Sequence, residues 1–190
     1  MRKFIQEIRE HSLEYGSIPF WSWNDKLDPE ELRRQIRVMH DLKMRGFFMH
    51  ARGGLETESL SEEWYDCIRA CVDEAEKLGM EAWSYDENGW PSGFADGKVS
   101  GLGEEYQQKY LLCEKLTDEN KDKPRTLLIK NGYRYYYEIN RFYVDTLSKK
   151  VIARFIEEVY VKYEEKLGAT FDGFFTDEPE VANKGIVWSF

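Results

Sequence analysis

The sequence predicts an α/β fold built around a parallel sheet. Three observations point to it. Amphipathic helical stretches recur along the chain. Each leads into a short hydrophobic run, and glycines stand at two of the junctions. Short buried strands alternating with helices are the mark of βαβ units, whose crossovers are right-handed.

Taken in order, residues 2–14 read as a leading helix with Phe4, Ile5 and Ile8 on one side. The run Ile18 to Trp23 is the first strand. A helix then opens at Asp28-Pro29-Glu30-Glu31, with Asp28 as N-cap, Pro29 in the first helical position and Glu31 completing a capping box. Leu32, Ile36 and Met39 form its apolar stripe. Met44 to His50 is the second strand. The second helix opens at Ser61, and Trp64, Ile68, Cys71, Ala75 and Leu78 mark its buried side. Gly79 stands where a helix needs a left-handed residue to stop, and Gly168 stands likewise after the third helix. The run ending at Tyr85 is the third strand. The third helix covers residues 145–167, with Val151, Phe155, Val159 and Tyr163 on its stripe, and the run to Thr176 is the fourth strand.

Residues 96–144 interrupt this alternation and read as a small β-rich insertion within one domain spanning 1–190. Gly101 to Tyr110 reads as a short helix. Leu111 to Leu116, Thr126 to Lys130 and Tyr133 to Ile139 read as strands, with a turn at Asn131-Gly132. No glycine-rich phosphate loop follows the first strand, which lowers a nucleotide-binding reading. At this level a doubly wound sheet and a barrel both remain open.

Composition narrows the function classes. The chain has 190 residues, 42% of them hydrophobic and 15% aromatic, enough apolar surface to build a core. Its net charge is −9 and no basic stripe stands out, so nucleic acid is not an expected partner. The N-terminus is too polar for a secretory segment and no apolar run would span a bilayer, so no membrane partner is expected and the chain reads as cytoplasmic. Three cysteines, an odd count, argue against a disulfide framework. Cys67 and Cys71 share a helix face and read as small buried hydrophobes. No cysteine or histidine spacing supports a metal site.

The strand ends carry the chemistry. They read Trp21-Ser22-Trp23-Asn24, His50-Ala51-Arg52-Gly53-Gly54, Tyr85-Asp86-Glu87-Asn88-Gly89-Trp90 and Thr176-Asp177-Glu178-Pro179-Glu180. In parallel α/β folds, functional groups collect at this C-terminal edge. Carboxylates beside tryptophans suit sugars: indoles stack on pyranose C–H faces while polar groups bind hydroxyls. Glycoside hydrolysis needs two carboxyl groups across the scissile bond. Glu178 is the choice for the acid, with Asp177 beside it and Glu87 as candidate partner. Trp23, Asn24, His50, Arg52, Asp86 and Trp90 are the expected sugar contacts, Trp90 being the better platform. Of Trp21 and Trp23, one is expected to face the core and the other the outside or mouth. Plainer roles stand beside these. On these, Asp177 caps the next loop or holds Arg52 in an ion pair, Glu178 is a structural hydrogen-bond acceptor, Asp86 and Glu87 organise the Asn88-Gly89 turn, and His50 is structural.

Four segments together resemble a known group: Pro19 to Asn24, Gly46 to Gly54, Tyr85 to Gly93 and Phe174 to Glu180. They look like bacterial glycosyl hydrolases related to the α-L-rhamnosidases of glycoside hydrolase family 106. The match covers roughly residues 15–95 and 140–180. The resemblance implies a (β/α)8 TIM barrel, of which this chain supplies about four βα units. It also implies a paired-Glu mechanism, inverting in the rhamnosidases, and calcium near the site. Glu178 then falls where an acid/base belongs. A second catalytic Glu on a later strand is expected by the group's pattern, and no such strand follows here. A half-barrel exposes strand edges and an apolar inner face, so self-association is expected. The alternatives are a non-catalytic carbohydrate-binding remnant and a metal-dependent TIM-barrel hydrolase or isomerase.

Overall fold

The computed structural model of the protein describes residues 1–10, 14–167, 171–180 and 186–189. The chain divides into two compact units, the first made of Met1–Trp90 and Val159–Thr176, the second of Pro91–Glu158 and Asp177–Phe190.

The first unit begins with α1 (Arg2–Glu10), whose Phe4, Ile5 and Ile8 are exposed. The parallel sheet follows: β1 (Phe20–Trp23), β2 (Gly46–Ala51), β3 (Glu81–Tyr85) and β7 (Gly173–Phe175). Its spatial order is β1-β2-β3-β7, and every pair is parallel. Each new strand is added on the same side as the last, so the order never reverses. The register sets Phe20 against Phe48, Trp23 against Ala51, Gly46 against Glu81 and Tyr85 against Phe175.

Side chains alternate across a strand, and here the two faces differ in kind. One face packs on helices. Trp23, Phe47, Met49, Ala51 and Ala82 join Leu32, Ile36, Trp64, Ile68, Cys71 and Tyr163 in a single core cluster. The other face holds Phe20, Phe48, His50, Trp83, Tyr85 and Phe175, whose rings touch one another at centroid distances of 4.1–6.1 Å. Phe20 is 52% exposed and Phe48, Trp83 and Phe175 are half-buried. The Trp83 ring lies against Gly173, where φ is +150° and a Cβ would crowd the indole.

Trp21 and Trp23 were expected on opposite sides, and the structure corrects this. Residues two apart in a strand point the same way. Both rings lie on the helix side, 5.5 Å apart and edge to face.

α2 (Pro29–Asp41) starts as its sequence indicates: Asp28 accepts a hydrogen bond from Glu31 N–H at 2.8 Å. The reciprocal half of the capping box is absent. Glu31 instead binds Arg34 and Gln35, which hold its carboxyl down to about 2. α3 (Glu62–Leu78) is capped by Ser61 and ends at Gly79, where φ is 66°. Ile36, Ile68 and Cys71 are fully buried between helices and sheet. Each of the two isoleucines contributes about 1.5–3 kcal/mol on leaving water. Cys67 and Cys71 are free and buried, and burial pushes the Cys67 thiol up to about 11.

The third helix is broken into α4 (Lys149–Ile156), a π turn (Glu157–Val161) and α5 (Lys162–Leu167). Its stripe explains why. Val151, Phe155, Val159 and Tyr163 keep a strict four-residue spacing. Three such steps outrun the 3.6-residue turn by about one residue, and a π turn absorbs one. The helix starts at Lys149 rather than near Asp145, because Asp145 accepts from Leu147 N–H and holds a turn there. Gly168 lies outside the described residues.

The second unit is built on an antiparallel sheet of β4 (Gln107–Lys115), β5 (Thr126–Lys130), β6 (Tyr133–Val144) and β8 (Ile186–Trp188). Its spatial order is β5-β6-β4-β8. Asn131 and Gly132 close the β5–β6 hairpin with φ of 54° and 76°, the geometry that Asn-Gly favours. The expected helix at 101–110 is replaced by 3-10 turns (Ser100–Leu102 and Glu104–Tyr106) and the start of β4. Gly101 and Gly103 deny that segment helix propensity, and Tyr110 finds a cross-strand partner in Glu138. β8 was not anticipated. Among the described residues, no helix is long and apolar enough to cross a membrane.

Candidate functional site

In the first unit, polar groups gather where β3 and β7 end. Asp86 follows β3 and is 4% exposed. Its Oδ2 accepts from Tyr160 O–H at 2.5 Å and from Thr176 Oγ1 at 2.8 Å, while its N–H donates to Phe175 O at 3.3 Å. Tyr160 comes from the π turn, and its ring packs edge-on against Phe174 at 4.7 Å. Burial first, and the Asp86 carboxylate second, push the Tyr160 phenol up. The phenol therefore stays a proton donor at neutral pH. Asp86 is thereby tied to two elements.

Glu87, also buried, accepts from the next residue's N–H, Asn88, at 3.0 Å through Oε1. His50 is buried on the aromatic face of the sheet, stacked on Tyr85 at 4.1 Å and 9°. The strands thus bring His50, Tyr85, Asp86 and Glu87 toward one edge of the sheet.

Trp23 does not join them. Its side chain is 2% exposed and lies in the core beside Trp64, so it is not placed to stack on a sugar. The reason is strand parity: the indole falls on the helix-facing side with Phe47 and Met49. Asn24 and Arg52 are exposed on the loops after β1 and β2, and Trp90 is 56% exposed.

Asp177 and Glu178 belong to the second unit, in a segment pinned on both sides of Glu178. Asp177 N–H donates to Ser92 Oγ at 2.9 Å, and Asp177 O accepts from Ser92 N–H at 2.9 Å. Glu180 N–H donates to Tyr143 Oη at 2.6 Å, and Tyr110 O–H donates to Glu180 Oε1 at 2.8 Å. Tyr143 O–H in turn donates to Ser92 O. Between these anchors Glu178 is exposed and holds φ at 42°. A non-glycine residue seldom adopts that conformation, and one before proline is ordinarily extended. Strain of this kind persists only where the surroundings over-determine it.

Sequence reasoning missed Tyr160, Ser92 and Tyr143, and placed Thr176 at a strand end without giving it a role. A signal existed for Tyr160: a stripe in strict fours calls for an extra residue, and Tyr160 sits within that turn. Nothing local marks Ser92 or Tyr143.

The family resemblance implies calcium near the site. No group of three His, Cys, Asp or Glu able to hold a metal lies together among the described residues. Asp86, the most buried candidate carboxylate, already accepts from two hydroxyls.

No family model matches the chain, and no curated protein matches it in sequence. Among solved structures, it is similar to a rhamnosidase from Novosphingobium sp. PP1Y. That likeness has 19% identity and a TM-score of 0.40, and covers 54% of this chain and 10% of that one. The chain spans about a tenth of that protein's length. At that level of likeness, the functional reading rests on the chain's own residues.

Proposed function

We propose that this chain contributes the first four βα units of a (β/α)8-barrel glycoside hydrolase, with Glu178 as its acid. The barrel reading is supported by the sheet order. Strands added in one direction, with helices packed on a single face, match barrel winding. A doubly wound sheet reverses its order and covers both faces. The aromatic face of Phe20, Phe48, Trp83 and Phe175 is the one a barrel would enclose. On this reading that face is closed by further strands or by a second copy of the chain, and light scattering would distinguish a monomer from a dimer.

The observation that carries the catalytic reading is the backbone of Glu178: exposed, strained and clamped on either side. Such a carboxyl is presented on a rigid support, as general acid catalysis requires. Asp177 then serves the loop through its backbone pair with Ser92. Glu87 is the proposed partner carboxylate. Asn24, Arg52, His50 and Trp90 are the proposed sugar contacts.

The test is a screen of aryl glycosides with the wild type and Glu178→Gln. The expected result is cleavage by the wild type and a loss of about 10²–10⁴-fold in kcat in the variant, the usual worth of a positioned acid. A variant that keeps full rate would remove Glu178 from the mechanism. Glycan binding without turnover in the wild type would mark a non-catalytic carbohydrate-binding module.

A further inference from the structure

Strand parity at the end of β6 turns Phe142 outward and Tyr143 inward: the first is 74% exposed and the second fully buried. The buried phenol meets two segments that lie 51 and 37 residues away along the chain. Its ring stands edge-on to Phe94 at 5.1 Å and 84°, and lies against Gly93. Gly93 holds φ at 133°, and a Cβ there would collide with the phenol, so only glycine fits beneath the ring. Gly93 O accepts from Val144 N–H at 3.3 Å, which lays Ser92 and Gly93 along the end of β6.

The hydroxyl uses both of its hydrogen-bonding capacities. It accepts from Glu180 N–H at 2.6 Å and donates to Ser92 O. Ser92 is joined to Asp177 by two further bonds, each 2.9 Å. Together they make a closed ring. It runs from Ser92 to Asp177, along the chain through Glu178 and Pro179 to Glu180, then through Tyr143 Oη back to Ser92. Glu178 sits inside this ring at φ 42°, although a residue before proline is ordinarily extended.

A single hydroxyl closes the ring. Glu180 has other holds: its carbonyl accepts from Gln108 and Thr146 at 3.3 and 3.4 Å, and its carboxylate from Tyr110 at 2.8 Å. The first two are long and act on the next peptide plane, and the third acts through a rotatable side chain. Only the bond to Tyr143 grips the peptide that joins Pro179 to Glu180. Without it the pair of bonds from Ser92 fixes one side of Glu178 and leaves the other free to relax.

We propose that Tyr143 is the positioning residue of this loop, its hydroxyl holding Glu178 in the left-handed conformation that sets where the carboxyl is presented. The catalytic consequence rests on Glu178 being the acid; the conformational one does not.

The experiment is NMR of the isotope-labelled whole chain, wild type against Tyr143→Phe, with aryl glycoside kinetics beside it. The phenylalanine keeps the ring against Gly93 and Phe94 and removes the hydroxyl alone. Positive φ brings the Glu178 amide hydrogen close to its own Hα, so the wild type should show a strong cross-peak between them. Tyr143→Phe should weaken that cross-peak severalfold as Glu178 relaxes toward extended backbone. The Glu180 amide should exchange about tenfold faster, the worth of one hydrogen bond. The amides of Leu112 and Tyr136, paired in mid-sheet, should exchange as in wild type. Where the wild type cleaves, kcat should fall about tenfold or more with KM within about twofold, because a displaced acid is felt in the transition state rather than in binding. A cross-peak of full strength in Tyr143→Phe overturns the proposal. So does faster exchange spread evenly over the sheet, which marks lost stability alone. If the cross-peak is lost but the wild type cleaves nothing, the positioning stands and the catalytic reading of Glu178 fails. If Tyr143→Phe cleaves at full rate, the positioning role fails and Glu178 keeps its own. If Tyr143→Phe does not fold, the wild type decides. A Glu180 amide that exchanges like exposed backbone, or a weak Glu178 cross-peak, overturns the proposal. A protected Glu180 amide with a cross-peak to the Tyr143 ring, beside a strong Glu178 cross-peak, upholds it.

Discussion

Tyr160→Phe isolates the hydroxyl that ties the π turn to the end of β3. The phenylalanine keeps the ring against Phe174 and removes only the O–H that reaches Asp86 Oδ2 at 2.5 Å. A hydrogen bond to a charged group contributes about 1.5–3 kcal/mol. Two features reduce that figure here. Tyr160 is only half-buried, and Thr176 Oγ1 still donates to the same oxygen at 2.8 Å. The expected cost is therefore about 1–2 kcal/mol. For a chain of this size that lowers Tm by about 3–6 °C. Thr176→Val, the matching change at the other donor, should cost about 1 kcal/mol. The double variant strips Asp86 of both hydroxyls, and it should cost about 1 kcal/mol more than the sum of the two. Thermal and urea denaturation followed by circular dichroism read all three. Hydrogen exchange should show Glu157–Val161 opening faster in the double variant. If each single change costs under about 0.5 kcal/mol and the pair is additive, Asp86 does not depend on these hydroxyls and the reasoning fails.

Other outcomes follow from the same structure. Arg37→Met removes the partner of Glu74, which is buried and receives the Arg37 Nε–H at 2.6 Å. That bond, chiefly, holds the Glu74 carboxyl below its usual range. A depressed carboxyl contributes stability above its unfolded value of 4.5 that is lost as pH falls through the folded one. Arg37 is half-exposed and Lys77 remains 3.5 Å away, so the variant should be only modestly less stable than wild type at pH 7. The gap to wild type should narrow below the carboxylate range, and an unchanged gap at pH 3 would count against the pairing. Ile68→Ala empties a fully buried position and should cost about 2–5 kcal/mol, whereas Ile5→Ala on exposed α1 should stay within about 0.5 kcal/mol. Urea midpoints measure both. With a thiol reagent at pH 8, the exposed Cys113 should label in the native protein, while Cys67, raised by burial to about 11, and Cys71 should wait for unfolding.

Much of the local structure was written in short-range chemistry. Asp28 and Ser61 cap their helices through their own side chains, Gly79 supplies the left-handed stop, and Asn131-Gly132 closes its hairpin. These devices act within a few residues, so a linear reading finds them. Glu31 shows the limit: its spacing suits a capping box, but Arg34 and Gln35 offer its carboxylate stronger partners one turn on.

What the sequence determined by itself was the alternation of helix and strand, the hydrophobic stripes and the positions of the polar strand ends. What only the tertiary structure decided was direction and partnership. It put the Trp23 indole into the core, drew Tyr160 and Thr176 onto Asp86, and clamped Glu178 between Ser92 and Tyr143. The partners in these contacts lie 37 to 90 residues apart along the chain or hang on which face of a strand is buried. Local propensity carries no record of either, because burial and pairing are set by elements that meet only on folding.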